Sequence, residues 1–436
     1  MKGYKFLMPF AMIACILLSA YMLYSTRITK INEYNDYLSK ARNFASQGIA
    51  VDAVKNYSKA LELNDTIDIQ IEVGEFFVKM EDINSAIGWG ERMVEQYPNE
   101  VQSYEFLLAR YRANNDYNRC YTLYNTILKR EIMSDSIEAV MNDIKYVFYY
   151  GEAYDNVKVF CNGYCPVQYE GKWGYANEKG ERVVPYKFVE AGSFINDIAP
   201  VVAESGEAFF IDNQGNKKVV VQNADNIKQL TSLAGDCFAA YDGTQWSFYD
   251  KEYKELSTGY SNVSLMQSSI VAVEKDGYWY LLNGSFENIN NSKYADIIQD
   301  EIGIVCRNDR LFVNEYGFYY LVDKSGNKIS NTKYEAAHLF NDNTYAAVRT
   351  EKGWTFIDVE GKEVFKDTYF DDAHSFSNGY AAVKKDGRWG FIDTEGNLVI
   401  GVQFEDAKDF NASGCAFVKT EDIWQMILLY SHNYES

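Results

Sequence analysis

The sequence predicts a multidomain α+β protein. It reads as an N-terminal transmembrane helix, a short α-solenoid and a C-terminal antiparallel β-domain of eight repeated units. Three observations predict this. Residues 6–24 form a run of 19 without a charged side chain. From Tyr37 onward apolar and small residues recur with helical spacing. From Gly171 almost to the C-terminus, versions of Gly387-Arg-Trp-Gly-Phe-Ile-Asp-Thr-Glu-Gly396 return again and again.

The apolar run comes first. At about 1.5 Å rise per residue it crosses a hydrocarbon core of about 30 Å. Secretory signal peptides have shorter apolar cores and a small-residue cleavage site, for which Leu18-Ser-Ala20 is a poor match. Met12-Ile-Ala-Cys15 faintly resembles a lipoprotein cleavage box, yet apolar residues continue well beyond Cys15. The reading is an uncleaved single-pass anchor at 6–24, with a short tail at 1–5 and a linker at 25–33. Lys2 and Lys5 place the N-terminus in the cytoplasm and the bulk outside; Arg27 and Lys30 argue the other way.

Residues 34–150 read as helices. Gly48, Ala53, Tyr57, Ala60 and Leu61 form one group, Gly74, Phe77, Ala86 and Pro98 a second, and Tyr104, Leu107, Tyr111, Cys120 and Tyr124 a third. The units start near 34, 67 and 101, and the pattern resembles the tetratricopeptide family, whose helix pairs repeat every 34 residues or so. Gly90 occupies a bulky slot of that pattern and Cys120 a small one. Ser134-Asp-Ser-Ile137 opens a capping helix expected over 136–149. Such arrays bind peptides in a concave groove; a short one also serves as a spacer.

The β-domain is expected over 151–436. In the unit 370–400, Lys385-Asp-Gly387 is a tight turn, because Asp-Gly accepts positive φ. Arg388 to Asp393 is a strand whose alternation sets Trp389 and Phe391 on one face and Gly390 and Ile392 on the other. Both faces are apolar or small, as in a sheet packed between neighbours. The same slot falls at Trp173, Ala208, Trp246, Trp279, Tyr319, Trp354, Trp389 and Trp424. The last three steps are 35 residues and the earlier ones vary up to 40. Eight units of this length fill the domain. Lys172-Trp-Gly-Tyr175 and Arg388-Trp-Gly-Phe-Ile-Asp393 resemble the bacterial WG-repeat (KWG) family most closely. Gly353-Trp-Thr-Phe-Ile-Asp358 is close, with Thr355 replacing the glycine. The family is β-rich and brings no active site with it. Closure into a propeller-like ring removes exposed strand edges and is preferred to an open β-solenoid. The apolar Ile423-Trp-Gln-Met-Ile-Leu-Leu429 is suited to seal the ring.

Composition limits function. The net charge of −20 disfavours nucleic acid as a partner. Aromatic residues make up 16% and fall in phase with the repeat, which points to packing between sheets. His338 and His374 share one repeat position that holds Lys408 and Gly192 in other units, so that position is expected to be a solvent-facing turn. Asp212, Asp250, Asp323, Asp358 and Asp393 also share a position, at a strand end, where a carboxylate can bond turn amides. A glycosidase would need a pair of free carboxylates. Asp212-Asn-Gln-Gly215 lacks the ligand alternation of a calcium loop. Cys161 and Cys165 have no second pair nearby for zinc, and Cys165 takes a small core position. No Walker loop, dinucleotide fingerprint, HExxH or GxSxG is present.

The sequence therefore yields no catalytic, cofactor-binding or metal-binding residue, and no cofactor. The expected function is a non-enzymatic, membrane-anchored scaffold. Its partners would be the membrane through 6–24, a protein or peptide, and cell-wall glycan. An envelope glycan hydrolase and a purely structural envelope component are the alternatives.

Overall fold

The computed structural model describes residues 4–219, 227–342 and 344–434, and the chain divides between Lys145 and Tyr146 into two compact units. The first holds seven helices: α1 (Tyr4–Ser46), α2 (Ala50–Leu63), α3 (Ile67–Lys79), α4 (Ile83–Gln96), α5 (Val101–Ala113), α6 (Tyr117–Arg130) and α7 (Asp135–Ile144).

α1 runs unbroken for 43 residues, about 65 Å. The linker expected at 25–33 is thus helical. No glycine or proline stands between Pro9 and Gly48 to stop it. The Thr26 and Thr29 hydroxyls bond back to the carbonyls of Met22 and Ser25. One end of α1 is bare: Met12, Ile16, Leu17, Tyr21 and Leu23 are all exposed. From Met12 it is long and apolar enough to cross a membrane, a property it shares with signal sequences near an N-terminus. Its other end packs Leu38 and Ala41 on Ala53, Tyr57 and Ala60 of α2.

The remaining helices alternate with short turns that repeat. Gly48, Glu81 and Asn115 all have positive φ, and the next residue in two of these turns, Asp82 and Asp116, caps the following helix. Phe106 explains Gly90. Its ring would stand 3.1 Å from a Cβ at Gly90 and 2.5 Å from one at Gly74, so it fills the volume a larger residue would take. Ser134 caps α7 as expected, accepting from the Ile137 amide. The helix ends at Ile144, however, short of 149. Aromatic Phe148, Tyr149 and Tyr150 are drawn into a strand, which begins three residues before Gly151.

The second unit is a ring of eight blades, beginning at residues 156, 190, 229, 262, 296, 336, 372 and 406. Blade 7 shows the plan. Asp372–Ala373 pairs with Tyr380–Lys385, which pairs with Arg388–Asp393, which pairs with Leu398–Phe404. Asp386 and Gly387 make the tight turn with φ of 52° and 77°. The indole-bearing strands act between blades. Trp389 and Phe391 pack on Ala407, Phe410 and Ala416 of blade 8, while Ile392 faces Trp354 and Phe356 of blade 6. The same interface recurs around the ring, and Trp424 and Met426 of blade 8 meet Val157, Cys165 and Val167 of blade 1. Closure is completed by Phe148–Tyr154, which lies beside Ile423–Leu429 as the outer strand of blade 8. An open solenoid is thereby excluded.

The glycine of Trp-Gly has a local cause. A Cβ at Gly390 would lie 2.6 Å from the Ile400 carbonyl and 2.8 Å from the Val402 amide, and Gly174 meets the Val184 carbonyl at 2.6 Å. The outer strand bulges over these glycines. Where Tyr280, Tyr320 and Thr355 replace the glycine, in blades 4 to 6, the sheet stops at three strands. The fourth segment there keeps only isolated bridges, such as Trp354 with Phe370. Blade 8 reverses the fit: Gln425 fills the slot and the outer strand supplies Gly151, whose carbonyl accepts from the Gln425 amide at 3.3 Å.

Candidate functional site

Each blade starts with a two-residue strand, and the residue after it donates its amide to the second strand. Lys158, Gly192, Thr231, Ser264, Ile298, His338, His374 and Lys408 all do this, at 2.7–3.0 Å. These eight positions ring the channel. Four of the side chains lie against the indole of their own blade: Lys158 over Trp173, His338 on Trp354, His374 on Trp389 and Lys408 over Trp424. The expectation of a solvent-facing turn is therefore corrected. The position tolerates His, Lys and Gly because it faces a shared channel, where each residue meets different neighbours from other blades.

The connection from the first strand to the second is six residues in blades 1, 2, 3, 4 and 7, and twelve in blade 5. The extra length makes a strap over 299–304. Asp300 shapes it by accepting from the amides of Ile302, Gly303 and Ile304 and from the Arg307 guanidinium at 2.6 Å. The Leu265 amide anchors it on Gly303 of the strap at 2.7 Å. Its tip reaches across the ring, where Glu301 accepts from Lys408 of blade 8 at 2.5 Å.

A polar cluster lies below the strap. His374 Nδ1 stands 3.0 Å from Asp409 Oδ1, and Asn341 donates to Asp409 Oδ2 at 2.7 Å. His338 and His374 have ring centroids 5.5 Å apart. Burial alone would lower the His374 pKa, but the hydrogen bond and charge of Asp409 outweigh it and raise it. Asp409 is depressed in return, its burial overcome by His374. His338 has no such partner; burial and then the charge of His374 push it down to about 4. Burial likewise lowers Lys158, whose ammonium donates to the Ala191 carbonyl at 2.7 Å.

Two cavities open at this end of the channel. One of about 440 Å³ is lined by His338, Asn341, His374, Ser375, Asp409 and the strap. The other, of about 880 Å³, is flanked by Ile195, Ala234, Leu265 and Ile304. Phe160, Cys161, Asn162, Ile302 and Arg307 border both. Both volumes are of the size that takes small ligands.

The other residues weighed from the sequence serve the fold. Asp393 accepts from the amides of Glu395 and Asn397, and Asp212, Asp250, Asp323 and Asp358 hold equivalent turns. Burial would raise Asp212, yet the Asn216 and Gln214 amides bring it to about 2. Cys165 is fully buried, Cys161 half-buried, and both thiols are unpaired. Among the described residues no group of three His, Cys, Asp or Glu is placed to hold a metal. Sequence reasoning missed Asp409, Asn341 and Glu301. Its one available signal was the 40-residue step from Trp279 to Tyr319, which contains the strap.

No curated protein matches the sequence. Among solved structures the chain is similar to Hsv2 of Kluyveromyces lactis, at 12% identity and TM-score 0.30 over 42% of this chain and 66% of that one. It is similar to a eukaryotic initiation factor at 13% identity and TM-score 0.41, over 66% and 88% of the two chains. BBS1N, solved in complex with ARL6DN, gives 12% and 0.30 over 53% and 86%. At these TM-scores the likenesses carry no argument. The WG containing repeat family matches residues 153–173, 173–204, 321–354, 354–389 and 389–424. Each of these five segments spans parts of two neighbouring blades, and the C-terminal unit carries WG containing repeats there.

Proposed function

We propose that this protein is a single-pass, membrane-anchored, non-enzymatic scaffold. Residues 6–24 lie in the bilayer, the N-terminus is cytoplasmic, and the folded units face the outside. The propeller loops and the groove of a tetratricopeptide-like array bind protein or cell-envelope partners. One observation carries the reading: the recurring Trp, Gly and Asp are consumed by blade packing and turns, while the loops converging at the channel differ from blade to blade. Three helix pairs starting at the 34-residue spacing, closed by α7, support the helical half of it. The bare apolar surface of α1 supports the anchor.

Two measurements test this. Protease added to intact cells should remove the propeller, and complete protection would reverse the orientation. Photo-crosslinkers at the loop tips Asn162, Asn196 and Asn308 should trap one defined partner in native membranes, whereas a crosslinker at Glu395 on an Asx turn should not. Equal trapping at both places would defeat the loop assignment. The hydrolase alternative has one specific support, the His374–Asp409 pair bordering a cavity. Glycan turnover by the purified chain that vanishes in His374→Phe would favour it over the scaffold.

A further inference from the structure

We propose that the polar cavity beneath the strap binds a neutral, polyhydroxylated ligand, a sugar unit, held by His338, Asn341 and Ser375 with Phe160 as its apolar wall. The argument begins with charge. Every ionised group bordering the cavity already has a hydrogen-bonding partner: Asp300 with Arg307, Asp409 with His374, Glu301 with Lys408, and Glu178 with the Asn411 amide and the Ser413 hydroxyl. An anionic ligand would have to be buried without a counter-charge or break one of these pairs, and both are costly; a cation would meet only Glu178 without an ionic partner, and both of its oxygens already accept from Asn411 and Ser413.

What remains is uncharged hydrogen-bonding capacity. His338 is neutral at pH 7 and offers one donor and one acceptor. The Ser375 hydroxyl oxygen accepts from the Ala347 amide, which leaves its proton to give. Asn341 spends its amide nitrogen on Asp409 and Ser375, which leaves its carbonyl to accept. Mixed donors and acceptors of this kind suit hydroxyls, which do both. Phe160 is half-buried, with one face stacked on Phe417 at 5.3 Å, so its remaining surface is what borders the two cavities. In the adjoining cavity the buried Gln267 Oε1 has no hydrogen-bond partner among the described residues. A hydroxyl donor from a longer glycan would satisfy it.

This inference goes beyond the scaffold reading and does not need it, because a soluble sugar can bind with no protein partner present. The test uses the full chain in a detergent without a sugar head group. Saturation-transfer NMR is run with maltose and N,N′-diacetylchitobiose, and with glutamate and lysine as charged comparators. At least one disaccharide should bind. His338→Phe keeps the stack on Trp354 and removes the ring nitrogens, so it should weaken that binding about tenfold, as should Asn341→Ala. Circular dichroism melts at pH 7 establish that each variant is folded. Absence of binding by both sugars, preferential binding of a charged comparator, or unchanged sugar affinity in both folded variants would each overturn the proposal.

Discussion

Blades 7 and 6 are neighbours built on nearly the same words, Trp-Gly-Phe-Ile-Asp and Trp-Thr-Phe-Ile-Asp. In blade 7 the glycine lets the outer strand Leu398–Phe404 lie close and pair. In blade 6, with Thr355 in that slot, the segment forms no continuous strand, and bridges at Phe370 and Glu363 with the bond from the Val364 amide to the Phe356 carbonyl remain. The indole is buried in both. One residue therefore divides two jobs that the repeat motif joins. The aromatic slot packs blade to blade, and in blades 1 and 7 the glycine lets the fourth strand close over it, whereas blades 2 and 3 pair a fourth strand with Phe209 and Ser247 in that slot. The blades that lost the glycine did not lose their place in the ring, and blades 5 and 6 carry the strap, His338 and Asn341.

Three substitutions separate these jobs, starting with the largest effect. Trp389→Ala removes an indole that is 4% exposed, at the interface of blades 7 and 8. It should cost about 3–5 kcal/mol in denaturant unfolding. A loss near zero would mean that the tryptophans do not join the blades. Gly390→Val sets a side chain against backbone at 2.6 Å. It should cost about 1–3 kcal/mol as the outer strand is displaced. The same valine in blade 6 should act in the opposite direction. Thr355 is buried and its hydroxyl has no hydrogen-bond partner among the described residues. Thr355→Val should therefore stabilise by about 1 kcal/mol. If both valines destabilise alike, the outer strand is not what distinguishes the two blades.

The scaffold was legible in the sequence because it is periodic. Eight slots could be counted, and Asp393 and its counterparts could be assigned to turns, because a repeated position has one repeated physical cause. Closure through Ile423–Leu429 was readable from its excess of apolar residues, but its partner was not. Phe148–Tyr150 is close in the fold and far in the chain. The candidate site was illegible for the complementary reason. His374 and Asp409 are one repeat apart, Asn341 and Asp409 two, and Glu301 and Lys408 three. Periodicity alone averages over such pairs. Reading His338, His374, Lys408 and Gly192 as one tolerant turn applied the logic of the scaffold to positions that face the axis, where equivalent residues have unequal neighbours.

The two histidines extend this contrast to pH. They occupy equivalent positions, but their neighbours shift them in opposite directions. His338 titrates at about 4 in the fold, because burial and the adjacent His374 charge outweigh Asp409 and Asp372. Unfolded, it titrates near the ordinary imidazole value of about 6.5. Between those values the unfolded chain binds a proton that the folded chain refuses, so stability must fall as pH drops from about 6.5 to about 4. His374 is raised by Asp409 despite its burial. Its contribution is complete below about 6.5 and fades as pH rises through its folded value. Together they place a maximum near pH 6.5. His338→Phe should flatten the acid side of the profile and leave the alkaline side unchanged, as read from unfolding midpoints across the range. An unaltered acid limb would show that His338 is not the group responsible. Asp409 could not replace it there, because a depressed pKa confines the effect of that carboxylate to pH below about 4.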